Sequence, residues 1–159
     1  LEFTFIVQSV QGERRIKSDD FFQDILTTAL EPDEILTEII VPKIPDNSGA
    51  AFVEIARRHG DFALSGVAAQ ISFGDRMPSE VRLAACGAGP IAMRLTAAEK
   101  ILLEEGIGEK AVEAAAAAAA AAVDPTSDHH ASASYRRRLT GVVTARAIKK
   151  AVERAEVMV

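Results

Sequence analysis

The sequence has a single cysteine, Cys86. That excludes an internal disulfide framework and a cysteine-rich metal site. It also lacks a basic excess: 18 Lys and Arg stand against 23 Asp and Glu, for a formal charge of −5. A general nucleic-acid binder carries the opposite balance. No apolar run is long enough to cross a bilayer. The nearest, residues 111–123, is short and mostly alanine. No secretory leader is recognisable, and the first residue is not Met. The expectation is a cytoplasmic-type polypeptide that forms part of a longer one. With 48% apolar and 26% charged residues, collagen-like and strongly disordered classes are excluded as well.

What is present suffices for one ordinary domain, or a domain and a piece of another: 159 residues. A chain of that length buries roughly 68–70% of its unfolded surface. Alanine supplies 29 of the residues, so large core side chains are fewer than the apolar fraction suggests. The N-terminal third reads as strands and turns. Residues 2–10 alternate, Gln11-Gly12 is a turn signal, and residues 14–17 return as a hairpin partner. Ser18 or Asp19 can cap a helical turn carrying Phe21, Phe22 and Ile25. Residues 34–41 alternate again as a strand. Pro42, Pro45 and Asp46-Asn47-Ser48-Gly49 then form the clearest loop and the expected domain boundary.

Three strand candidates follow, at 50–57, 65–73 and 80–86, with turns at 59–61 and 74–78. Their short connections predict an antiparallel meander. The remainder is helical. Residues 92–105 carry apolar side chains at helical spacing, with Gly106 closing. Residues 109–123 include nine consecutive alanines, the best helix former. Residues 131–156 predict an amphipathic helix with Tyr135, Leu139, Val142, Val143, Ala147, Ala151 and Val152 inward. On that helix Arg136, Arg146, Lys149, Lys150 and Arg154 mostly face away. Strands first and three helices after define an α+β fold.

Several segments carry candidate chemistry. Gly87-Ala88-Gly89-Pro90-Ile91-Ala92 fits G-x-G-x-x-A after a strand. The second parallel strand with its acidic end is missing, however, and Pro90 removes a backbone N–H. A tight strand-to-helix connection is the simpler reading. Asp128-His129-His130 offers imidazoles, but adjacent side chains diverge and no cysteines accompany them. The expectation is a loop capping the last helix. Arg136-Arg137-Arg138 sits near a helix start, where the dipole disfavours cations; Asp124, Asp128 or a partner's carboxylates can offset this, and the cluster reads either as a solvated face or as a partner contact. Cys86 has no activating base and reads as a small hydrophobe. No nucleophile is paired with a base. The most unusual stretch is residues 51–64, which sets Phe52, Arg57, Arg58, His59, Gly60, Asp61 and Phe62 at a strand end and turn. Arg57 or Arg58 can pair with Asp61 there. The turn is either a structural hairpin or a loop edging a ligand.

That stretch, with Glu31-Pro32-Asp33-Glu34-Ile35-Leu36-Thr37-Glu38-Ile39-Ile40-Val41-Pro42 before it, resembles the FAD-binding medium subunit of molybdenum hydroxylases. The nearest resemblance is to aerobic carbon monoxide dehydrogenase medium chains, and xanthine dehydrogenase has the equivalent domain. Arg15-Ile16 and Asp20-Phe21-Phe22 upstream match, as do Leu83 and Cys86-Gly87. So do Asp124-Pro125, Asp128, Ala131-Ser132-Ala133, Tyr135-Arg136, Leu139 and Arg146-Ala147, all in the family's order. The resemblance implies that residues 1–45 are the C-terminal end of an FAD-binding domain. Residues 50–159 would then be a carbon monoxide dehydrogenase flavoprotein C-terminal domain, a three-stranded antiparallel sheet packed with a three-helix bundle.

It implies an oxidoreductase subunit that transfers electrons through FAD. Its partners would be a molybdopterin large subunit and an iron–sulfur small subunit, with neither nucleic acid nor a transmembrane segment involved. By position, Leu36 packs near the isoalloxazine, Phe52 lies beside it, and Arg57, Arg58, Asp61 and Phe62 belong to the flanking loop. Two departures matter. Val53 stands where xanthine dehydrogenases have a flavin-contacting lysine. The family's two Gly-rich pyrophosphate motifs are not among these residues, so the chain alone is expected to bind FAD weakly or not at all. The rival expectation is a stand-alone binding or dimerisation domain, a homo-oligomer built on the alanine-rich or arginine-rich helix.

Overall fold

The computed structural model describes residues 2–75 and 77–156. Arg76 of the expected 74–78 turn lies outside the described residues, as do the first and last three residues of the expected domains. The chain divides into two compact units, Leu1–Ile44 and Pro45–Val159.

In the N-terminal unit, β1 (Thr4–Ser9) and β2 (Gly12–Lys17) form the hairpin that the turn signal predicts, in register Thr4↔Lys17 to Ser9↔Gly12. Gly12 closes it at φ +137°, a conformation that L side chains rarely adopt. A helical turn, α1 (Ser18–Phe21), follows, then β3 (Phe22–Asp24), β4 (Thr27–Thr28) and β5 (Ile35–Ile40). β5 pairs antiparallel with β1, so the sheet order is β2-β1-β5. The expected helical turn is shorter than the sequence suggests. It has no side-chain cap, and Phe22 is extended because it pairs with Thr28. The Phe22 ring instead packs edge-on against Phe5 and Phe21, which stack at 4.0 Å. Ile25 is exposed. Phe5, Val7, Ile16 and Phe21 form the core. Arg14 clamps the entry to β5: Nε donates to Glu34 Oε1 at 2.9 Å and Nη2 to Glu34 Oε2 at 2.6 Å. This guanidinium, aided by the Glu31 N–H, holds the Glu34 carboxyl down at about 2.

The C-terminal unit is built on β6 (Ser48–Ile55), β7 (Ser65–Phe73), β8 (Pro78–Cys86) and β9 (Met93–Arg94), in that order and antiparallel throughout. Three helices follow: α2 (Thr96–Glu105), α3 (Glu109–Ala122) and α4 (Ala133–Glu156). The meander is as expected, but β9 is additional. Residues 87–92 do not lead into a helix. They carry the chain back so that Met93 and Arg94 pair with Ala85 and Ala84, and the helix starts only at Thr96. Glu99 anchors that start. Its Oε1 accepts the Leu83 N–H at 2.7 Å and Arg94 Nε at 2.8 Å, and its Oε2 accepts Arg94 Nη2 at 2.9 Å.

One sheet face supplies Val67, Ile71 and Leu83 to the core, where they meet Leu102, Val112, Ala115, Val143 and Ile148 of the helices. The buried stripe of α4 is Arg136, Leu139, Thr140, Val143, Thr144, Ala147, Ile148, Ala151 and Ala155, a 3.6-residue repeat. Tyr135 and Val142, expected inward, are each 39% exposed, and Arg136, expected outward, is 9% exposed. α4 approaches the sheet through Gly49. A Cβ there would lie 1.8 Å from the Ala151 carbonyl oxygen.

Candidate functional site

The β6–β7 hairpin places five of the six expected site residues. Phe52 lies on the sheet face opposite the helices, because strand neighbours alternate and Ala51 faces the core. Its ring is 53% exposed. It leans along β7 onto Gly66, where a Cβ would come within 3.1 Å of the Phe52 Cζ and 2.9 Å of Cys86 Sγ. Glycine at 66 therefore gives the ring its seat. Cys86 borders that seat half-buried. Burial pushes its thiol upward, and the Glu54 charge adds to this, so the sulfur is a protonated packing group.

The hairpin turns over residues 56–64. Gly60 takes φ +91°, and the Asp61 N–H donates to the Arg58 carbonyl at 3.2 Å. The expected Arg–Asp61 ion pair does not form, because the backbone already closes the turn. Arg57 reaches across instead, and its Nη1 donates to Nδ1 of His130. Phe62 is fully exposed at the tip. Arg57, Arg58, Asp61 and Phe62 line a cavity of about 660 Å³ whose other wall is Asp128, His130 and Arg136.

The sequence reading offers Asp128 as a carboxylate to offset the arginines, as found, but places neither it nor Arg136 in a site. Arg136 Nη1 donates to the Leu64 carbonyl at 2.9 Å, with a longer contact to the Gly87 carbonyl at 3.4 Å, and Nη2 donates to Asp128 Oδ2 at 2.7 Å. One buried guanidinium thus joins the 56–64 turn, the bend after β8 and the loop before α4. Asp128 Oδ1 accepts the N–H groups of His130 and Ala131, both at 2.9 Å. The Ala131 N–H, then Arg136, then the His130 N–H hold the Asp128 carboxyl well below the usual carboxylate range. The helix cap proper is Ser132, whose Oγ accepts the Tyr135 N–H at 3.2 Å. The signal for Arg136 was its spacing, three and four residues before Leu139 and Thr140 on the buried stripe.

The remaining candidates sort themselves by position. Leu36 belongs to β5 of the N-terminal unit, where it is partly buried against the Phe5 cluster. The rings of His129 and His130 do not diverge; their centroids are 3.8 Å apart, because they sit in a bend rather than a strand or helix. Gly87 takes φ +68°, and a Cβ there would meet the Ala63 carbonyl at 2.7 Å. Its role is close packing of two turns, and the G-x-G-x-x-A segment opens no helix to hold a phosphate.

An antiparallel sheet capped on one face by helices, with a half-exposed aromatic and an arginine-rich turn at one end, is an α+β architecture shared with known flavoproteins. The family model of the CO dehydrogenase flavoprotein C-terminal domain matches residues 50–151, and the chain belongs to that family. It is 36% identical over 149 residues to the 6-hydroxypseudooxynicotine dehydrogenase complex subunit alpha of Paenarthrobacter nicotinovorans, covering 93% of this chain and 50% of that protein. It is 31% identical to the carbon monoxide dehydrogenase medium chain of Hydrogenophaga pseudoflava, covering 95% and 53%. A solved carbon monoxide dehydrogenase from Hydrogenophaga pseudoflava, lacking the Mo-pyranopterin moiety of its cofactor, superposes with a TM-score of 0.93 at 33% identity. That match covers 96% of this chain and 53% of that one. The chain spans about half the length of the relatives it matches. Among the described residues, no helix is long and apolar enough to cross a membrane.

Proposed function

We propose that this chain is the C-terminal part of the FAD-containing electron-transfer subunit of a molybdopterin-dependent dehydrogenase. The observation that carries this is the superposition at TM-score 0.93 and 33% identity over 96% of the chain. On this reading residues 1–45 end the FAD-binding domain. Residues 50–159 form the C-terminal domain, a three-helix bundle on an antiparallel sheet. Its partners are a molybdopterin-bearing large subunit and an iron–sulfur small subunit, in the cytoplasm. Relatives named as subunits of dehydrogenases support this over a stand-alone dimerisation domain.

The residues present fit one edge of a flavin. Phe52 offers an exposed ring held flat by Gly66, a suitable neighbour for an isoalloxazine. Bound FAD supplies the redox chemistry, accepting electrons and passing them to an external acceptor. This chain positions and shields. By family position, Phe52 packs beside the ring system and Leu36 near the isoalloxazine. Arg57, Arg58, Asp61 and Phe62 form the flanking turn, which controls access. The Arg136 brace holds that turn in place. The test is direct: the intact polypeptide carrying these residues is purified and its flavin extracted. The proposal predicts a yellow protein with about one FAD per chain. A colourless protein without flavin would overturn it.

A further inference from the structure

The cavity between the 56–64 turn and the loop before α4 holds more positive charge than its own carboxylates neutralise. Three guanidinium groups line it, those of Arg57, Arg58 and Arg136, against two carboxylates, Asp61 and Asp128. Asp128 is committed to Arg136 and to two backbone N–H groups. Among the described residues, no carboxylate lies within ion-pair distance of Arg57 or Arg58, and the side-chain partner of Arg57 is the His130 imidazole. Arg57 and Arg58 line a space of about 660 Å³, in the size range of small-molecule sites, on a chain whose net charge is −5.

We propose that this cavity binds the phosphate of a phosphorylated organic ligand. Two exposed guanidinium forks suit a group with several acceptor oxygens; a carboxylate would occupy a single fork. The cavity is much larger than a phosphate ion. The fully exposed Phe62 at its rim offers an aromatic face to the rest of the ligand. The site is argued from the cavity itself and does not need the flavin assignment. The phosphate is that of a separate phosphorylated molecule, because the Gly-rich motifs that hold the FAD pyrophosphate in the family are not among these residues.

The experiment titrates inorganic pyrophosphate and ADP into the intact polypeptide by calorimetry, once with its flavin and once after flavin removal. Arg57→Gln and Arg58→Gln, both at exposed positions, are the test variants. Arg146→Gln on the solvent side of α4 is the control. The expected result is binding weakened about tenfold or more by either test variant and unchanged by the control. Binding to the flavin-loaded protein identifies a separate phosphorylated ligand. Binding only after flavin removal places the anion in the vacated cofactor site and would overturn the proposal. No heat in either form, or equal affinity in wild type and both test variants, would overturn the proposal. A preparation that never contained flavin would count against the proposed function alone, since its anion titration is still read by the same variants.

Discussion

Arg136 is the residue on which the geometry of the turn depends. Its guanidinium satisfies the Leu64 carbonyl, approaches that of Gly87, and pairs with Asp128. Truncation to Ala strands an acceptor in a buried setting and is expected to cost about 1–3 kcal/mol, read as a lowered urea midpoint. Asp128 gives this brace a pH dependence of definite sign. Its folded pKa lies below the unfolded value near 3.8, so the unfolded chain takes up the proton first on acidification. The contribution is full above about pH 5 and declines as pH falls through about 4 toward the folded pKa. Melting temperatures of wild type and Asp128→Asn should therefore differ by a constant amount from pH 7 to about pH 5, and converge below about pH 4. A gap that stayed constant down to pH 3 would refute the assignment. Glu34 in the N-terminal unit, held at about 2 by Arg14, has the same sign, which is why the comparison needs the variant. At this scale the sequence revealed one wall of the cavity and not the other. Residues 57–62 are contiguous and chemically unusual. Arg57 and His130 are 73 positions apart, and only the fold brings them together. Arg136 looked solvated because it is charged, although its spacing put it on the buried stripe.

At the level of elements, small residues set the distances. The contact of β6 with α4 is made where Gly49 faces Ala151 and Ala155, with no room for a methyl group. Gly49→Ala is expected to destabilise by about 3 kcal/mol or more, because the obstructing atoms are backbone and cannot rotate away. A loss under about 1 kcal/mol in chemical denaturation would show that this contact is looser than described. α3 and α4 come close in the same way, with Gly141 beside the Ala116 carbonyl and Ala120. That gives the alanine run a purpose beyond helix propensity: it presents a surface low enough for α4 to approach. The helices and the three long strands were legible because their periods are strong and Gly, Pro and Asp mark the ends. β9 was not. Two residues carry no period, and the glycines and Pro90 before it resemble an ordinary strand-to-helix turn. Glu99 is what makes that arrangement hold. Its side chain satisfies the Leu83 N–H and Arg94, so Glu99→Ala should cost about 1–3 kcal/mol by the same denaturation assay.

The molecule as a whole consists of two units of unequal size. In the smaller one, β5 leaves Ile35 and Ile39 exposed, and Val41 just after it is exposed too. The α+β order was readable from the succession of patterns, and the proline-rich loop lies where the two compact units meet in the chain. The cofactor came from family resemblance alone, because no composition or spacing within these residues encodes a flavin. The central claim, that the β6–β7 hairpin edges this flavin, is tested most directly by its midpoint potential in the intact polypeptide carrying Asp61→Asn, with Phe52→Ala alongside. Removing a negative charge beside the ring favours the electron-rich form. The account therefore predicts a raised potential for Asp61→Asn and an altered reoxidation rate for Phe52→Ala, with flavin still bound. Flavin content, potential and reoxidation rate all unchanged in both variants would contradict it.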